Sequence, residues 1–111
     1  MFGFGPKVPA IGVHELKKMM DERQDFVLLD VRDAEEYEQS HIEGSVLIPL
    51  PDVSRRLAEL DKTRKHVVMC LSGGRSATAT KLLRDKGFDA VNLSGGILEW
   101  AGQIDPGLAV G

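Results

Sequence analysis

The stretch Val67-Val68-Met69-Cys70-Leu71-Ser72-Gly73-Gly74-Arg75-Ser76 changes character twice. Its apolar start, without alternation, predicts a strand buried on both faces. A short glycine-bearing loop follows, opening with the single cysteine of the chain, and then the first turn of a helix. A strand covered on both faces needs helices above and below it, and a strand that runs straight into a helix is half of a βα unit. That combination restricts the chain to an alternating α/β fold.

The remaining segments keep the alternation. Pro9-Ala10-Ile11 predicts a short strand. Val13, Leu16, Met19 and Met20 form one helical stripe, with Glu15, Lys17, Lys18 and Asp21 opposite. Phe26-Val27-Leu28-Leu29-Asp30-Val31 is a further strand, with Asp30 and Arg32 at its carboxyl end. Ala34 to Gln39 reads as a short charged helix capped by Asp33. After a polar turn from Ser40 to Ser45, Val46-Leu47-Ile48 is a strand closed by Pro49 and Pro51. Val53, Leu57 and Leu60 predict a helix over Asp52 to Leu60.

His66 to Met69 is the strand that delivers Cys70, and Ser76 to Lys86 the helix after the loop, with Ala79, Leu82 and Leu83 inward. Gly87 suits a left-handed helix end, with Phe88 as its apolar contact. Ala90 to Leu93 is the last strand, Ser94-Gly95-Gly96 a tight turn, and Ile97 to Ala101 the start of a helix with Trp100 in the core. The expected architecture is a three-layer α/β/α domain with a mainly parallel central sheet of about five strands. Residues 1–8 read as a flexible lead-in, 9–103 as a single domain and 104–111 as an irregular tail.

A chain of 111 residues is long enough for one genuine core. The formal charge of −3 argues against nucleic acid or an anionic membrane as partner. No apolar run approaches the ~20 residues of a membrane span, and Met1 to Lys7 lacks the charged-then-apolar pattern of a signal peptide. One cysteine excludes an internal disulfide and a cysteine-based metal site. His14, His41 and His66 show no ligand spacing, so neither metal nor cofactor is expected. A cytoplasmic protein is the expectation.

The chemistry is expected at Cys70, because parallel sheets carry their sites at the carboxyl ends of strands. Gly73 and Gly74 let consecutive N–H groups converge on one point, forming an anion-binding nest. The dipole of the helix from Ser76 and the guanidinium of Arg75 would add positive potential, and such surroundings lower a thiol pKa. Four residues separate Cys70 from Arg75, a loop that fits a sulfur-sized anion better than a tetrahedral phosphate. Cys70 is therefore expected to carry or transfer sulfur. Ser76 reads as a helix cap, Asp30 and Arg32 as a structural ion pair, and His41, in a separate turn, as a structural or exposed histidine. Gly95-Gly96, a turn before a helix, could bind phosphate, but a tight turn alone explains it.

Several segments, in order, resemble the rhodanese-like family from about Val8 onward. They are Leu29-Asp30-Val31-Arg32 with Glu36-Tyr37, His41-Ile42-Glu43-Gly44-Ser45, Ile48-Pro49, Cys70 to Ser76, and Asn92-Leu93-Ser94-Gly95-Gly96-Ile97-Leu98-Glu99-Trp100. The resemblance implies a sulfurtransferase in which Cys70 forms a persulfide and Leu71, Ser72, Gly73, Gly74 and Arg75 are the substrate-binding loop. It implies a supporting role for Asp30 and Arg32. Many active members have a basic residue where this chain has Leu71, so thiosulfate is expected to bind weakly and thiol-borne or protein-borne donors better.

The segment Trp100 to Pro106 is similar to rhodanese domains appended to adenylyltransferases. The implied partners are a small sulfur donor and acceptor, with a cysteine desulfurase, or a ubiquitin-like sulfur carrier and its adenylyltransferase, as protein candidates. Two alternatives are a non-catalytic rhodanese-like binding module, and a cysteine-dependent phosphatase or arsenate reductase, whose loop is one residue longer.

Overall fold

The computed structural model describes residues 6–110, so the expected lead-in lies outside the described residues as far as Gly5. Among the described residues five strands are formed: β1 (Ala10–Ile11), β2 (Phe26–Asp30), β3 (Val46–Leu47), β4 (Lys65–Met69) and β5 (Ala90–Leu93). Four α-helices accompany them in the same residues: α1 (Val13–Asp21), α2 (Ala34–Gln39), α3 (Gly74–Asp85) and α4 (Gly96–Gln103). The sheet order is β1-β5-β4-β2-β3, parallel throughout. The strand leading to Cys70 is therefore central, flanked by β2 and β5.

Side chains of a strand alternate between faces, and the core divides accordingly. Leu28, Val67, Met69, Val91 and Leu93 pack with Val13, Leu16 and Met19 of α1 and with Ile97 and Trp100 of α4. Leu29, Val31, Val68, Cys70 and Ala90 pack on the other face with Ala79 and Leu83 of α3 and with Val53. The three-layer α/β/α arrangement follows from these two clusters. Ile104, Leu108 and Val110 of the irregular tail rest against the first cluster.

Helix α3 ends as expected. Gly87 is left-handed at φ 89°, its N–H donates to Arg84 O, and the Phe88 N–H donates to Leu83 O. The helix expected over Asp52 to Leu60 is not formed. Two 3₁₀ turns, Leu50–Asp52 and Leu57–Glu59, replace it. The N–H groups of the segment reach carbonyls three residues back rather than four, as in Arg56 N–H to Val53 O and Leu60 N–H to Leu57 O, and Arg56, at φ −114°, leaves the helical region. The tighter turns still bury Val53 and half-bury Leu57 and Leu60.

Helix α4 is joined to the loop after β4. The N–H groups of Ile97 and Leu98 donate to the carbonyls of Cys70 (3.0 Å) and Leu71 (3.1 Å). These donors have no acceptor within their own helix, so the loop satisfies them. The join requires glycine at position 96: φ is +60°, and a Cβ there would lie 2.6 Å from the Cys70 carbonyl oxygen and closer to that of Leu71.

His66 is fully buried in β4. Its Nδ1–H donates to Arg64 O at 2.9 Å, the edge of Phe88 packs on the ring, and Nε2 has no partner among the described residues. Burial, against the pull of the Arg64 carbonyl, holds its pKa below the ordinary imidazole value.

Two measurements check these contacts. In urea denaturation Gly96→Ala loses about 1–3 kcal/mol through overpacking and strain. Gly102→Ala, in open space on the same helix, is neutral or gains up to about 1 kcal/mol. His66 binds its proton more weakly folded than unfolded. Its contribution is thus complete above the unfolded value of about 6.5 and is lost as pH falls below it. The urea midpoint is expected to drop between pH 7 and pH 5, with a much flatter profile in His66→Leu.

Candidate active site

Strand β4 ends at Met69, and the backbone then turns through Cys70 to Gly73 before α3 begins. Gly73 is the N-cap of α3, in the left-handed region at φ 113°, a conformation that costs a residue with a Cβ. The helix starts at Gly74, earlier than the expected Ser76. Gly74 is therefore helical rather than part of a two-glycine nest, and Ser76 is not the cap. Ser72 is exposed, while Leu71, Gly73, Gly74 and Arg75 are half-buried.

Cys70 is 1% exposed, yet its sulfur faces polar groups. Sγ accepts from the Gly73 N–H at 3.1 Å and lies 3.2 Å from Ser76 Oγ. Burial alone would raise the thiol pKa. The Ser76 hydroxyl and the N–H groups of Ser76, Gly73 and Ser72 outweigh it and hold the thiol below its ordinary value. Ser76 is fully buried in the first turn of α3, and its hydroxyl also reaches Asn92 Oδ1 at 2.5 Å.

The expected positive potential from Arg75 is redirected. Its Nη1 and Nη2 donate to the two carboxylate oxygens of Glu36, at 2.7 and 3.1 Å. Arg75 holds the Glu36 carboxyl down at about 2, helped by the Asp33 N–H and opposed by burial. Glu36 also completes the capping box of α2, accepting from the Asp33 N–H at 2.9 Å. One carboxylate thus joins the start of α2 to the start of α3.

Asp30 and Arg32 form the other ion pair of the site, and both are buried. Arg32 Nη2 lies 2.8 Å from Asp30 Oδ2, and Nε donates to the same carboxylate. Nη2 also donates to Ser40 O at 2.8 Å, which holds the end of α2. Leu71, with Arg32, Glu36, Gln39, Ser40 and Val110, lines a recess of about 90 Å³ beside the loop. His41 is exposed, stacked on Tyr37 and bonded to its carbonyl. Among the described residues no group of acidic, His or Cys side chains could hold a metal, and no helix is long and apolar enough to cross a membrane.

Two residues of the site escaped the sequence reading. Glu36 was legible three positions after Asp33 as the second half of a capping box. Asn92 was legible as a polar residue inside an apolar strand, where burial demands hydrogen-bond partners.

Comparison with known proteins points the same way. The family model for the rhodanese-like domain matches residues 12–103. A protein of Allochromatium vinosum named "Sulfurtransferase" is 34% identical over 85% of this chain and 89% of its own length. "Probable adenylyltransferase/sulfurtransferase MoeZ" of Mycobacterium tuberculosis is 39% identical over 94% of this chain and 27% of its own length. The chain spans about half or less of several curated relatives. The crystal structure of a rhodanese-like domain protein from Staphylococcus aureus superimposes with a TM-score of 0.82 at 32% identity, covering 94% of this chain and 99% of that one. With its five-stranded parallel sheet and its Cys70 loop at the end of the central strand, this chain belongs to the rhodanese-like domain family.

Proposed function

We propose that this domain is a sulfurtransferase that carries sulfane sulfur as a persulfide on Cys70. The observation that supports this most directly is the buried Cys70 sulfur, surrounded by hydrogen-bond donors that favour its anion. The Cys70 thiolate attacks the outer sulfur of a donor. The donor S–S bond breaks, its electron pair leaves with sulfite or a thiolate, and the negative charge passes to the new outer sulfur. An acceptor nucleophile then takes that sulfur and regenerates the thiolate, a ping-pong sequence. The N–H groups of Gly74 and Arg75, in the first turn of α3, have no intrahelical acceptor and are suited to hold the outer sulfur.

Leu71 and the pairing of Arg75 with Glu36 leave little free positive charge for a dianion such as thiosulfate. A low-molecular-weight or protein-borne persulfide fits the site better. The same pairing disfavours the phosphatase reading, which needs an arginine free to clasp an oxyanion. MoeZ, by its name, joins an adenylyltransferase to a sulfurtransferase. By that analogy the acceptor side is a ubiquitin-like sulfur carrier, and a cysteine desulfurase is a suitable donor. The working unit is residues 9–103, and a cytoplasmic setting suits the free thiol.

Intact-mass measurement after incubation with a small persulfide should show a gain of about 32 daltons, one sulfur. Cyanide should remove it as thiocyanate, and Cys70→Ser should not acquire it. Absence of the adduct with both thiosulfate and a persulfide would refute the assignment. Leu71→Lys is expected to raise kcat/KM for thiosulfate about two- to fivefold, the range of a screened surface charge interaction.

A further inference from the structure

Asn92 lies in β5, in register with Val68 of β4, and is buried. Its side-chain amide bridges two parts of the sulfur site. Nδ2–H donates to the Gly73 carbonyl at 3.1 Å, and Oδ1 faces Ser76 Oγ at 2.5 Å. The Gly73 carbonyl can only accept, so the amide NH₂ must point at it and Oδ1 must point at Ser76. Oδ1 can also only accept. Ser76 Oγ is at the same time 3.2 Å from Cys70 Sγ. A hydroxyl has a single proton, and here two acceptors stand within its reach.

The state of the sulfur decides where that proton goes. While Cys70 is a thiol, its S–H can donate to Ser76 Oγ and the Ser76 O–H can donate to Asn92, so every polar atom of the relay is paired. When Cys70 is a thiolate, Sγ needs donors, and turning the Ser76 proton to it leaves Asn92 Oδ1 without one. In the persulfide the charge has moved to the outer sulfur, and the inner sulfur no longer attracts the proton.

We propose that Asn92 is a positioning residue of the sulfur-transfer site. It competes with the Cys70 sulfur for the Ser76 hydroxyl proton and holds that proton whenever the inner sulfur is uncharged. Asn92 thereby favours the thiol and the loaded persulfide over the bare thiolate. This meaning for the cycle rests on the reading of Cys70 as a sulfur carrier, whereas the competition itself is read on Cys70 ionisation alone. On the elements around Cys70, Arg75 of α3 is paired with Glu36 of α2, Asp30 at the end of β2 is paired with Arg32, and Glu99 of α4 is folded over Gly95, while Lys81, Arg84 and Asp85 lie in the second half of α3 and Glu35 and Glu38 also lie on α2. Lys65 and His66 lie at the opposite end of β4, and β5 carries no charged residue. None of these is altered by a change at Asn92 or Ser76.

The test is the pH midpoint of Cys70 ionisation, followed by thiolate absorbance and by alkylation rate, in Asn92→Val, Ser76→Ala and the double variant. Asn92→Val should lower the midpoint by about one unit, a tenfold gain in ionisation. Ser76→Ala should raise it, and the double variant should match Ser76→Ala, because the effect of Asn92 passes through the hydroxyl. A merely structural asparagine would change thermal stability and leave the midpoint in place. The proposal is overturned if Asn92→Val leaves or raises the midpoint, or if its effect persists in the Ser76→Ala background.

Should Asn92→Val fail to fold, the unmodified protein decides. The Asn92 side-chain carbonyl ¹³C shift should titrate with Cys70, return on persulfidation, and lose its response in Ser76→Ala. An unresponsive carbonyl overturns the proposal. Failure to form the persulfide refutes the sulfurtransferase assignment separately, since the ionisation measurements need no sulfur donor.

Discussion

The bonds from the start of α4 to the Cys70 loop determine how the sulfur is held. A peptide group is planar and trans, so its N–H points away from its carbonyl. The Ile97 N–H takes the Cys70 carbonyl and the Leu98 N–H takes the Leu71 carbonyl. With the Leu71 carbonyl turned outward to α4, the N–H of Ser72 is turned inward, and it is one of the donors that lower the Cys70 pKa. Helix α4 contributes no side chain to the sulfur, yet it orients the peptide that does. Gly96 is the condition for this approach, because any Cβ there would meet the two loop carbonyls.

The charges around the loop are arranged to build the site rather than to face its ligand. Arg32 is spent on Asp30 and on the end of α2, and Arg75 on Glu36. What remains for an anion is a set of oriented N–H groups and one hydroxyl. Such dipoles suit a compact monoanion such as a thiolate or persulfide, which a few convergent donors can solvate. A dianion would need a free cation as well. Leu71, where a basic residue would have offered one, instead lines the recess beside the loop.

The legible parts of the sequence were those with a regular period. Continuous apolar runs identified β2 and β4 as strands covered on both sides, and Gly87-Phe88 marked the end of α3. The Asp52–Leu60 segment misled because Val53, Leu57 and Leu60 satisfy a helical stripe and two 3₁₀ turns equally well. Arg75 was legible as a cation near Cys70, but its partner lies 39 positions earlier in the chain, and only the fold brings Glu36 to it. The same holds for Gly96 and Asn92. Their chemistry is set by contacts with the loop that no local spacing encodes.

A buried thiol is a poor nucleophile unless its burial is offset, since low polarity favours the neutral form. This fold offsets it at the junction of β4 and α3. The strand carries Cys70 into the core, and the helix that follows presents its unpaired first-turn N–H groups and the Ser76 hydroxyl to the same sulfur. Burial then keeps water from competing for those donors, so each is stronger than it would be at the surface. The features that make Cys70 part of the core and those that favour its thiolate therefore have one origin, a central strand that turns into a helix through a single left-handed glycine.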